Sequence, residues 1–246
     1  MEIARHLATL DAEGRMLADA AAEAGVDAKV PTCPDWQVRD LLRHTGAVHV
    51  WAAAFVREGI TEPRPMGEEP GLDGAELVAW YRDSHRRLMD TLAEAPADVE
   101  CWTFHPAPNP SPLAFWTRRQ AHETTVHRFD AQSALGGQPA PVEEEFAADG
   151  IDELLRGFHA RDRSRVRTDE PRLLRVRASD PDAVWSVRLS AAAPPVTTLD
   201  EHGPADAELS GPARELYLAL WNRLPVPHIT GDATLATLWR ERSAIG

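Results

Sequence analysis

The hydrophobic positions divide the chain into an all-helical half and a mixed half. Residues 2 to 25 place Ile3, Leu7, Leu10 and Leu17 on one helical stripe, with charged residues between them. The segment Pro31 to Pro34 interrupts that pattern, and Asp35 is the expected N-cap of a second helix reaching about Arg57. Its buried stripe is expected to run through Leu41, His44, Val48, Trp51 and Phe55. Residues 58 to 72, with Pro63, Pro65, Gly67 and Pro70, read as a loop. A third helix follows, with Leu77, Tyr81, Ser84, Leu88 and Leu92 on one face. The proline-rich stretch from Pro106 to Pro112 reads as extended loop. Within it Ser111 is the N-cap and Pro112 the first turn of a fourth helix, which stops at Gly136 and Gly137. Four helices of similar length predict an antiparallel four-helix bundle over residues 1–140.

After Pro141 helical spacing continues to about Ala160, and then the period falls to two. Leu174, Val176 and Ala178 alternate with Arg175 and Arg177; Trp185, Val187 and Leu189 alternate with Ser186 and Arg188. Asp180 to Asp182 joins these runs as a hairpin turn. Gly211 and Pro212 open a helix through Leu216, Leu220 and Leu224, and a short helix follows Gly231 and Asp232. The expected fold class is α+β in two domains, with a small α/β domain over residues 141–246.

Composition narrows the functional classes. The 246 residues suffice for two domains with their own cores, and 39 acidic against 26 basic residues give a net charge of −13. The basic residues are scattered, so neither nucleic acid nor an anionic membrane is an expected partner. Cys33 and Cys101 form no disulfide framework and no zinc–thiolate motif. No apolar run approaches the roughly 18 residues that span a bilayer, and the first residues lack the apolar core of a signal peptide. A cytoplasmic protein, monomeric or a small homo-oligomer, is expected.

Candidate chemistry centres on Glu123 and His127, four apart and therefore on one helical face. Joined by His44 from the second helix they would make three protein ligands to a metal, leaving a position open for catalysis. The metalloprotease motif H-E-x-x-H is excluded, because Val126 stands where its second histidine belongs. His122 and His127, five apart, diverge by about 140° around a helix, as do His44 and His49. The plainer alternatives stay open: a hydrogen-bonded core histidine, and a solvated ion pair. Asp130 is placed to hold a ligand imidazole from behind or to pair with an arginine. His85 and His105 have no spacing partner, and nothing marks Cys33 as activated. Arg82, Arg118, Arg119 and Arg240 are candidates for binding substrate carboxylates.

The segments from Pro31 to His44 and from His122 to Asp130 resemble two signatures of the mycothiol-dependent maleylpyruvate isomerase family. The stretches Leu209 to Arg223 and Thr230 to Leu235 are similar to its C-terminal domain. The resemblance implies a DinB-like bundle, a C-terminal domain similar to sterol-carrier-like folds, and zinc ligands at His44, Glu123 and His127. It also implies mycothiol, a small thiol of actinobacteria, as cosubstrate, with an electrophilic small molecule as substrate. The thiolate would add to an activated double bond, allow rotation and leave, or remain attached as S-transfer. A metal-dependent hydrolase and a non-catalytic metal-binding stress-response protein are the competing readings.

Overall fold

A computed structural model describes residues 1–105, 111–201 and 203–245, so most of the proline-rich loop, Pro106 to Pro110, lies outside the described residues. The chain divides into two compact units, one ending at Ala140 and the other starting at Pro141 and including His105. The first unit holds helices α1 (Ile3–Ala24), α2 (Val38–Glu58), α3 (Gly74–Glu94) and α4 (Pro112–Ser133).

The bundle is less simply antiparallel than four similar helices suggest. On α1 and α4, His6 meets His122 and Glu13 meets Arg128, so these two run parallel. On α2 and α3, Arg39 meets Asp73 and Gly46 faces Trp80, so these also run parallel. The antiparallel neighbours are α2 with α4, through His49 and Thr124, and α1 with α3, through Asp19 and Arg82. The connection between α2 and α3 permits this. Its 15 residues, 59–73, span up to about 50 Å extended, against about 32 Å for a 21-residue helix.

Two boundaries of the bundle differ from the sequence reading. Gln37, not Asp35, caps α2, because Asp40 accepts from the Gln37 backbone at 2.9 Å and completes a capping box. Helix α4 ends at Ser133, before the glycines. Ser111 caps α4 as expected, accepting from the backbone of Ala114 at 3.1 Å. The core joins Leu17, Ala21, Val38, Leu41, Leu77 and Tyr81. A second cluster is aromatic: Phe55 stacks on Trp116 at 5.2 Å, and the Trp116 indole donates to the Trp102 carbonyl.

The second unit begins with α5 (Glu144–Asp152), which passes into a π-helical turn over Glu153–Phe158. Strands β1 (Arg172–Ser179), β2 (Asp182–Leu189), β3 (Val196–Leu199), β4 (Ala207–Gly211) and β5 (His228–Gly231) form a sheet in the order β3-β2-β1-β4-β5. Strands β1 and β4 are parallel and the other pairs antiparallel. The expected hairpin is β1–β2, with Ser179 opposite Asp182. Helix α6 (Ala213–Leu220) stops before Leu224, and α7 (Thr234–Arg242) follows β5. The alternating Leu174, Val176 and Ala178 are fully buried, with Leu209, Leu216 and Trp239 in the same unit's core. No helix among the described residues is long and apolar enough to cross a membrane.

Candidate metal centre

Helix α4 departs from the pattern of a surface helix. Thr117, Arg119, Gln120, His122, Thr124, Thr125, His127, Arg128 and Asp130 are all buried along it. A helix polar on its buried faces must find partners for those groups or lose several kcal/mol of solvation. Arg128 finds them structurally: its Nε donates to Glu13 at 2.5 Å, and Nη1 donates to the Ala140 carbonyl. Glu123, His127 and Asp130 find one another.

The structure brings the three expected ligands together. His44 Nε2 and His127 Nε2 each lie 3.3 Å from Glu123 Oε1, and one ligand atom from each residue lies within 4.8 Å of the others. The two imidazoles meet edge to face at 5.2 Å. Arg119, one turn before Glu123, donates to the other carboxylate oxygen, Oε2, at 3.1 Å. It thus steadies the carboxylate whose other oxygen faces both imidazoles. Arg82 pairs instead with Asp19.

Behind His127, the buried Asp130 carboxylate faces Nδ1 at 2.9 Å. Its own orientation is fixed by the Thr32 hydroxyl, which donates at 2.6 Å, and by the Cys33 thiol at 3.7 Å. Trp36 lies nearly parallel to the His127 ring at 5.9 Å and tilts onto His44 at 5.1 Å. The turn preceding α2 thus supplies Thr32, Cys33 and Trp36, none of which was given a role from spacing. Their signal was their position just upstream of a ligand-bearing helix.

The electrostatics are those of a tightly coupled pair. Burial alone would raise the Glu123 pKa, but hydrogen bonds from His127 and His44 and the charges of His127 and Arg119 hold it well below the usual carboxylate range. Burial alone would lower His127; the hydrogen bonds to Asp130 and Glu123 outweigh it and raise the imidazole. Two carboxylates, Asp130 and Glu123, flank one buried imidazole and make this a place where positive charge is stabilised.

The remaining histidines sort differently from the expected stripe. His44 is 28% exposed at the margin of the core, whereas His49 is wholly buried with Nε2 on Thr124 at 2.9 Å. The buried arc of α2 includes Leu42, Gly46, His49 and Ala53, because α3 and α4 both cover it; Val48 and Trp51 lie at its edge. His122 meets His6 at 6.0 Å, away from the triad. His85 lies in the core against Gly14, and His105 packs on Phe158 of the second unit.

A bound ion fits these residues. Two imidazole nitrogens and one carboxylate oxygen form a donor set suited to zinc, and a partner already orients each of the two ligands on α4.

Residues 7–132 match the mycothiol maleylpyruvate isomerase N-terminal domain, and residues 145–238 match the C-terminal domain of the same family. No curated protein matches. The crystal structure of the mycothiol-dependent maleylpyruvate isomerase superposes with a TM-score of 0.64 at 14% identity, covering 94% of this chain and 92% of that one. A histidine-to-alanine mutant of that enzyme gives 0.61 at 15% identity, covering 91% and 90%. At these identities the structures establish the α+β fold, while the two domain matches establish descent: the chain belongs to the mycothiol maleylpyruvate isomerase family of enzymes.

Proposed function

We propose that this protein is a zinc enzyme that uses mycothiol as its thiol cosubstrate to isomerise maleylpyruvate or a closely similar unsaturated acid. The observation that carries this reading is the convergence of His44, Glu123 and His127 within 4.8 Å, on helices of a domain that matches the family. A bound divalent metal supplies a thiolate at neutral pH, since a thiol with a reference pKa of about 8.5 ionises on coordination.

The chain's own residues prepare that chemistry. Asp130 keeps a proton on His127 Nδ1 and so leaves the Nε2 lone pair for the ion. Thr32 holds Asp130 in that pose. Arg119 occupies Glu123 Oε2 and leaves Oε1 facing both imidazoles. Trp36 covers the flank of both rings and restricts water there.

The test is conversion of maleylpyruvate to its trans isomer by the purified protein, followed by absorbance with and without mycothiol. Turnover is expected only with the thiol, and is expected to be lost in His44→Ala and Glu123→Ala. Thiol-independent turnover, or full activity in both variants, would overturn the reading.

A further inference from the structure

The second unit carries a cavity of about 300 Å³ between the loop following the π-helical turn and the end of α7. Four arginines line it, Arg161, Arg163, Arg165 and Arg242, together with Ser164 and His159, and none of the described lining residues has an acidic side chain. In a chain of net charge −13, such a gathering of cations runs against the overall composition. Like charges around one cavity repel, and nearby carboxylates would relieve them. Yet Arg163, Arg165 and Arg242 make no ion pair among the described residues; Arg165 instead donates to the Ala244 carbonyl at 3.1 Å. Arg161 is positioned by the Phe158 carbonyl and lies 4.8 Å from the centroid of that residue's ring. The adjacent acidic residues, Asp162 and Glu241, are exposed and do not line the cavity.

His159 adds an independent observation. It is 1% exposed, its Nδ1 meets Ser164 Oγ at 3.0 Å, and its Nε2 is buried without a hydrogen-bond partner. Burial first, and the charge of Arg161 second, push the imidazole down to about 4, so it is neutral near pH 7 and adds no fifth positive charge.

We propose that this cavity binds a small dianion, one presenting a phosphate group or two carboxylates to the arginine cluster. Guanidinium groups match both oxyanions in bidentate geometry, and the volume lies at the small end of ligand pockets, roughly 300–1,000 Å³. The site is built entirely from the second unit and does not depend on the metal centre.

Calorimetric titration of the full chain with inorganic phosphate and with malonate, in a zwitterionic buffer at low salt, tests this. One anion per chain is expected to bind, at least about tenfold more weakly in the Arg163→Ala/Arg242→Ala double variant. Both positions are exposed, so circular dichroism of that variant is expected to match wild type. Arg214→Ala, an exposed arginine elsewhere in the unit, is expected to bind as wild type does. Binding is also expected to persist in His44→Ala, which separates this cavity from anion capture at the metal centre. Tighter phosphate assigns a phosphorylated ligand, and tighter malonate a dicarboxylate. No binding of either anion by wild type, equal binding by the double variant, or loss of binding in His44→Ala would overturn the proposal.

Discussion

Replacing Asp130 with Asn changes one atom of a carboxylate that is wholly buried and fully engaged. In the native arrangement Thr32 donates to Oδ1, and Oδ2 receives His127 Nδ1 at 2.9 Å and the Cys33 thiol at 3.7 Å. Asparagine keeps one acceptor and turns the other into an NH2 donor. With that donor toward His127, the imidazole must accept at Nδ1 and carry its proton on Nε2, the atom the metal needs. With the amide reversed, the NH2 faces Thr32, which then cannot donate. Either arrangement removes a charge-assisted hydrogen bond from behind a ligand, a change that weakens metal binding by about 10- to 100-fold, or about 1.4–2.7 kcal/mol. Thr32→Val, which removes one supporting bond and leaves the carboxylate, is expected to cost about 1 kcal/mol of the same affinity. Competition with a chromophoric zinc chelator measures both, and thermal melts of the metal-free proteins confirm folding. Wild-type affinity in a folded Asp130→Asn protein would refute the claim that this carboxylate sets the imidazole's protonation.

Three further outcomes follow from the same structure. His49→Ala is expected to lose about 2–4 kcal/mol of stability, since it leaves a cavity and an unpaired Thr124, while zinc per folded chain stays at wild-type level. His44→Ala is expected to show the reverse, and metal loss confined to His49→Ala would show the wrong histidine has been placed on the ion. Arg128→Ala strands the buried Glu13 carboxylate and is expected to cost about 3–5 kcal/mol in urea melts; a change under about 1 kcal/mol would contradict this. His159 titrates near 4 when folded and near 6.5 when unfolded, so the unfolded chain binds the extra proton between those values. That contribution is complete above pH 6.5 and is lost as pH falls toward 4, by about 3 kcal/mol in total, and His159→Gln is expected to flatten this part of the stability profile.

The sequence made the larger divisions legible because they rest on local rules. Ser111 and Pro112 marked the start of α4, the alternation around Asp180–Asp182 gave the β1–β2 hairpin, and the four-residue spacing of Glu123 and His127 placed both on one face. What escaped it depended on tertiary surroundings. The arc of α2 facing the core was misjudged, because a helix covered by two neighbours buries a wider sector than a single apolar stripe shows. His49 therefore lies in the core and His44 at its edge. The parallel pairing of α2 and α3 follows from a long connection whose path no periodicity encodes. Thr32, Cys33 and Trp36 lie in a turn, about 100 residues before Asp130 in the chain, so only folding reveals that they support its carboxylate and the His127 ring. Strand β3, Val196–Leu199, is short and half exposed and gives no apolar alternation to read.

The most direct test of the proposed chemistry is the proton balance of mycothiol binding. Calorimetry of zinc-loaded protein in buffers of different ionisation enthalpy is expected to show binding with release of about one proton near neutral pH, because a thiol ionises on coordination. The metal-free protein and His44→Ala are expected to bind far more weakly. Binding that is equally tight without metal, or whose heat is independent of the buffer, would contradict a metal-held thiolate as the working form of the site.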